Sequence, residues 1–293
     1  MTDQRRALVL AFTAVCFWST VAVAFKLSLR HLAVIELLLL ATLFSTIVLA
    51  AILVAQSKFK QVFFCSRQEY GLSLMLGFLN PFLYYLILFK AYDLLPAQQA
   101  QPINYTWAIM LSVLSVPLLK QKITARQGVA LIGGYLGVVV IATKGELTQL
   151  EFTSPFGVFL AIFSTVIWAL YWIFNTRESR DPVVGLFVNF CFSLPFITLY
   201  YLWIGDFRPF PIEGILGAAY IGAFEMGICF VLWLKAMKLT NSTAQISSLI
   251  FLSPFMSLIL ISYFLGETIE RATLLGLVLI VASILYQNRG AKA

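Results

Sequence analysis

Residues 34–55 read VIELLLLATLFSTIVLAAILVA, a run with one charge, Glu36, and with neither Gly nor Pro. Roughly 20 apolar residues cross the hydrocarbon core of a bilayer as an α-helix, so this stretch reads as one complete crossing. It is not alone. Of the 293 residues, 61% are hydrophobic and 11% charged, against roughly 45–50% apolar and about 25% charged in soluble domains. No single water-facing fold absorbs that excess. In lipid every backbone polar group must be satisfied internally, which leaves helices or closed barrels, and long unbroken runs rather than short alternating ones select helices.

Breaks at charged, Gly or Pro clusters divide the chain into spans 7–25, 34–55, 70–89, 97–119, 127–143, 155–174, 183–203, 214–234, 244–264 and 272–287. The expected fold is therefore an all-α membrane protein with ten transmembrane helices. The first run follows Arg5 and Arg6 like a signal peptide but lacks a small-residue cleavage site, so it reads as a retained helix. Ten crossings place both ends on one side. Lys and Arg number 14 in the loops on that side and 6 on the other, and the excess marks the cytoplasmic face of an inner membrane. The net charge of +7 then reflects topology, and nucleic acid is not an expected partner. Cys16, Cys65, Cys191 and Cys229 lie in or beside apolar runs without CxxC spacing, so they read as packing residues.

The two halves echo each other. Leu10, Ala11 and Trp18 recur 150 positions later as Leu160, Ala161 and Trp168. Gly77, Lys90, Ala91 and Leu94 recur at a shift of 145 as Gly222, Lys235, Ala236 and Leu239. A duplication into units 7–143 and 154–287 follows. Five helices per unit is an odd number, so the second unit enters the membrane from the opposite face. Inverted repeats of this kind hold substrate near the bilayer midplane, between the halves.

Three stretches carry a family resemblance. Cys16-Phe17-Trp18-Ser19-Thr20 is echoed at Val166-Ile167-Trp168-Ala169. Ala244-Gln245-Ile246-Ser247-Ser248 leads to Leu252-Ser253-Pro254, then Leu265-Gly266-Glu267 and Gly276. Asn104-Tyr105-Thr106-Trp107-Ala108 is similar to the asparagine-tyrosine-x-tryptophan-proline signature of the aromatic amino acid exporters, with alanine in place of proline. The chain thus resembles the EamA-type ten-helix members of the drug/metabolite transporter superfamily. It departs from them before the fifth span, where Lys120-Gln121-Lys122 stands in place of the loop glutamate. The resemblance implies a carrier exporting small metabolites, often amino acids, with spans one, three, four, six, eight and nine around a central cavity.

Polar residues inside the spans are the candidate site. Glu225 lies mid-span, where a charged side chain costs at least ~2.5–3.5 kcal/mol, so it is expected to face a cavity or a partner, or to carry a proton. Its helical neighbours Ala218, Gly222 and Cys229 are small, which leaves room for a ligand or for a close-packed helix. The repeat puts Asn80, followed by Pro81, at the same depth in the third span. Gln98, Gln99, Gln101 and Asn104 open the fourth span, and Asn241, Gln245 and Ser248 lead into the ninth at i, i+4, i+7 spacing. Two such faces suit a pocket between repeats or glue between helices. Pro102 and Pro254 read as kinks. Among abundant aromatics, Trp18, Tyr84, Tyr105, Trp107 and Trp168 stand out by repeat or motif position, and Trp168, Tyr171 and Asn175 share one face. Lys90 and Lys235 end their helices and are expected to snorkel to the interface.

The expected substrate-binding set is Trp18, Asn80, Tyr84, Gln101, Asn104, Tyr105, Trp107, Trp168, Glu225, Gln245 and Ser248, with Glu225 also the proton-coupling candidate. A single histidine, His31, excludes paired-histidine metal motifs, and GxSxG, Walker A and GxGxxG sequences are absent. An enzyme or a cofactor is therefore not expected. The expected partners are the bilayer and a small-molecule substrate, with the chain a monomer or homodimer. A passive channel, a lipid flippase and an uptake or exchange carrier remain as alternatives to export.

Overall fold

The computed structural model describes residues 3–119, 125–146, 153–175, 178, 180–204, 207–239, 249–250 and 252–288. Their long elements are all helical: α1 (Asp3–Leu29), α2 (Val34–Ala55), α3 (Arg67–Leu94), α4 in two pieces (Ala97–Asn104 and Trp107–Leu119), α5 (Ala125–Ala142), α6 (Pro155–Asn175), α7 (Pro182–Ile204), α8 (Ile212–Ala236), α9 (Leu252–Leu265) and α10 (Arg271–Asn288). Among the described residues α1, α2, α3, α6, α7 and α8 are long and apolar enough to cross a membrane, and shorter apolar helices accompany them. Leu43, Ile47, Val54, Leu199, Leu216, Ile259 and Leu275 point outward and exposed along these helices. Such a sheath of apolar side chains is what lipid, rather than water, tolerates. The chain is a multi-pass membrane protein.

Local sequence sets the helix ends. Ser66 accepts from the Glu69 amide at 3.3 Å while the Glu69 carboxylate accepts from the Ser66 amide at 2.6 Å. This capping box starts α3 three residues before the expected span. Glu36, the one charge of α2, turns back onto the Ala33 amide at 2.7 Å and satisfies the helix start instead of facing lipid. Pro254 falls in the first turn of α9, where a missing N–H costs nothing, and most of the expected span before it lies outside the described residues. The fourth span is discontinuous, breaking at Tyr105–Thr106, three residues after Pro102.

Helix contacts repeat between the halves with partners exchanged. α1 packs on α8 as α6 packs on α3, and α2 lies against the middle of α8 as α7 lies against the middle of α3. α5 and α10 pair with each other. There Gly137 and Gly276 meet reciprocally, since a Cβ on either would lie 2.6 Å from the other's carbonyl oxygen. Both middles are π-helical, at Phe78–Leu83 in α3 and Ile221–Ile228 in α8. In α3 the irregularity is sharp: Asn80 takes φ −151°, ψ 123°, beside Pro81, which has no amide to donate. π segments are uncommon and concentrate at functional sites. Two at repeat-related positions mark where to look.

The small residues near Glu225 serve packing. A Cβ on Gly222 would run into the Ala41 carbonyl of α2 and sit 2.8 Å from the Phe44 Cβ. Cys229 approaches the Ala14 carbonyl of α1 at 3.7 Å. Gly77 does the same in the first half, with its Cβ position blocked by the Asn189 carbonyl of α7. Of the two uses that small residues allow, close helix approach is the one found here.

Candidate substrate cavity

A cavity of about 480 Å³ lies between the two halves, with walls from α1, α3, α4, α6, α8 and Ile250. Eight of the expected residues line it: Trp18, Tyr84, Gln101, Asn104, Tyr105, Trp107, Trp168 and Glu225. Asn80 does not. It is fully buried behind the wall, close to Tyr171 and Asn189. Gln245, Ser248, Asn241 and Lys120 to Lys122 lie outside the described residues.

Glu225 is fixed rather than floating. Its Oε1 accepts from the Tyr85 hydroxyl at 2.9 Å, joining the π segment of α8 to α3. Its Oε2 is buried and without a hydrogen-bond partner. Asn104 bridges two walls, accepting from the Tyr84 hydroxyl at 3.4 Å and donating to the Ser164 hydroxyl of α6 at 2.9 Å. At the break in α4, the Tyr105 hydroxyl donates to Ser253 of α9 at 2.7 Å. The break itself therefore turns a tyrosine across the interface between halves.

The aromatic lining is continuous. Tyr84 stacks on Trp168 with centroids 4.5 Å apart, and Trp18 lies 5.2 Å from Trp233. Phe230 joins the two sets, 6.4 Å from Trp18 and 5.8 Å from Trp168. Tyr92, Trp172 and Trp233 also line the cavity, and sequence reasoning missed them, as it missed Tyr85. The repeat mate of Trp233 at the 145 shift, Leu88, lines the cavity too.

One end of the cavity is sealed. Phe25, Tyr92 and Gln101 there are 1–3% exposed, whereas Leu111, Trp172 and Leu234 toward the other end remain partly exposed. The seal is a set of polar contacts at helix ends. Lys26 donates to the carbonyls of Tyr92 and Leu95, at 2.8 and 3.0 Å, where α3 ends. The Glu267 carboxylate accepts from the Ala97 and Gln98 amides at 3.0 and 3.2 Å, where α4 begins. Each charge matches the helix dipole it meets. The opposite end is held differently, by Lys58 with Asp181 at 2.6 Å and by Arg180, which pairs with Glu178 and donates to Ser73 at 2.6 Å. Burial pushes the Asp181 carboxyl up, but hydrogen bonds from Lys58 and the Val183 amide bring it below the usual carboxylate value.

A chamber enclosed between two related helical halves, in a chain sheathed for lipid, defines a membrane transport protein. The chain belongs to the EamA-like transporter family, which matches residues 5–143 and 155–288. The uncharacterized transporter YvbV of Bacillus subtilis is 28% identical over 237 residues, 78% of this chain and 74% of its own. An uncharacterized transporter of Clostridium kluyveri is 28% identical over 185 residues, a match spanning 60% of this chain and 58% of that one. A crystal structure of 20% identity superposes with a TM-score of 0.67, covering 98% of this chain and 99% of the other, a likeness of fold.

Proposed function

We propose that the chain is a secondary carrier that exports amino acids or similarly sized amphiphilic metabolites across the inner membrane by alternating access. In this reading ten helices cross as two five-helix halves of opposite orientation, with both chain ends cytoplasmic. The protein acts as a monomer or homodimer. The observation that carries the reading is a cavity formed jointly by both halves, sealed at one end, with one membrane-embedded carboxylate inside. A channel needs a continuous path. A carrier needs a site that faces one side at a time.

The geometry supplies the parts of such a cycle. Substrate enters from the end where Leu111, Trp172 and Leu234 are accessible and settles against Glu225, held in place by Tyr85. Rocking of the halves then parts the Glu267 contacts at the sealed end and closes the other. The polar pairs at each end are few and lie at helix termini, so they separate without unwinding a helix. Without a nucleotide-binding motif, work comes from a gradient of substrate or protons, and Glu225 is the group placed to take up a proton when substrate leaves. Purified protein in liposomes, tested across a panel of amino acids and metabolites, examines this directly. Saturable flux with counterflow supports a carrier, and flux linear in concentration contradicts it.

A further inference from the structure

Within that carrier reading, on which this step rests, we infer that the cavity selects a protonated amine on an aromatic or branched apolar body and rejects the corresponding free amino acid. Among the described residues, the lining's buried polar atoms without a partner are two acceptors, Glu225 Oε2 and Gln101 Oε1, and one neutral donor, Trp172 Nε1. The Tyr105 hydroxyl is engaged with Ser253, the Tyr84 hydroxyl with Asn104, and Asn104 Nδ2 with Ser164. A ligand that brings N–H groups suits the two unpartnered acceptors, and an ammonium brings up to three.

Charge gives the same answer. Among the described residues Glu225 is the one acidic lining residue, and the lining contains no Lys, Arg or His. Lys26, on the same helix as Trp18, is turned to the Tyr92 and Leu95 carbonyls. A monocation beside an ionised Glu225 leaves the cavity neutral. A zwitterion adds a carboxylate that meets no cation among the described residues, and an unpaired charge in a low-dielectric site is expensive. The walls complete the match. Five of the six tryptophans of the chain, Trp18, Trp107, Trp168, Trp172 and Trp233, line this one cavity. Indole faces attract a cation and cover an aromatic body alike.

Four probes sharing one ring separate the contributions: tryptamine, its N,N,N-trimethyl analogue, tryptophan and indole-3-propionate. Binding to the wild-type protein in detergent is read by calorimetry. Tryptamine is expected to bind at least tenfold tighter than tryptophan, with indole-3-propionate weakest. The trimethyl analogue keeps the charge but has no ammonium N–H, and it is expected to bind more weakly than tryptamine. Glu225→Gln and, independently, Gln101→Leu are each expected to weaken tryptamine at least fivefold, with little change for indole-3-propionate. Tryptophan binding as tightly as tryptamine overturns the inference, as does failure of all four to bind. Equal binding of tryptamine and its trimethyl analogue overturns the role given to the unpartnered acceptors. If tryptophan binds and also undergoes counterflow in liposomes, the amine selectivity fails while the carrier reading stands.

Discussion

Glu267 and Gln98 hold the sealed end of the cavity together across 169 positions of sequence. The Glu267 carboxylate takes the Gln98 amide, and the Gln98 side chain answers by donating to the Thr268 carbonyl at 2.9 Å and accepting from the Glu270 amide at 3.1 Å. The start of α4 is thereby capped by the loop between α9 and α10. In the other half, Lys120-Gln121-Lys122 occupies the corresponding stretch of sequence and has no carboxylate to offer.

Glu267→Ala is expected to cost about 0.5–2 kcal/mol, the range for losing an N-cap. It also favours opening of the sealed end. A cysteine placed at Gln101, 3% exposed, reports this: labelling by an impermeant thiol reagent from the Glu267 side is expected to rise when Glu267→Ala is added. Unchanged labelling removes Glu267 from any gating role.

Gly77→Ala places a methyl group against the Asn189 carbonyl, where helices α3 and α7 touch. Overpacking of this kind costs about 1–3 kcal/mol, so the melting temperature in detergent is expected to fall. Gly71→Ala on the same helix has open space around it and gains helix propensity, so it is expected to be neutral or slightly stabilising. Equal effects at both sites contradict the close α3–α7 approach.

Asn104→Ala removes a group that joins α3 to α6 in the cavity wall. Loss of a buried hydrogen-bond partner is expected to weaken substrate binding by about 1–3 kcal/mol, measured by titration of the purified variant. Retained affinity with lowered melting temperature assigns Asn104 to packing alone.

The Lys58–Asp181 pair sets a pH dependence at the opposite end. Because the folded Asp181 carboxyl lies below its usual value of 3.8, its stabilising contribution is complete above that value and is lost as pH falls through the folded one. Asp181→Asn is therefore expected to melt lower than wild type at neutral pH and to converge with it in strong acid. A difference that persists there assigns the effect to packing.

Much of this arrangement was legible in the chain. Glu225 stood out because a carboxyl deep in an apolar span needs a cavity, a partner or a proton, and it has both cavity and partner. Trp18 and Trp168 stood out as repeat mates, and both line the cavity. Tyr85 was hidden because its bond to Glu225 spans 140 positions, and no local period reports a pairing of that range. Trp172 and Trp233 were hidden for a different reason. At 15% aromatic content, helical spacing cannot separate lipid-facing rings from lining ones. Gly222 was ambiguous for the physical reason that a missing side chain serves a ligand and a neighbouring helix equally well. Asn80 is the reverse case: the repeat pointed to it as a lining residue, yet it is buried outside the cavity lining, in non-helical backbone beside Pro81.

Glu225 is the centre of the account, and replacing it by the neutral isostere glutamine tests the account most directly. In liposomes loaded with substrate, an imposed pH gradient is applied across wild-type and Glu225→Gln protein, and net substrate accumulation is followed. Wild type is expected to convert the pH gradient into a substrate gradient and Glu225→Gln is not, while the variant keeps its fold by circular dichroism. Accumulation by the variant equal to that of wild type contradicts the assignment of Glu225 as the residue that couples protons to transport.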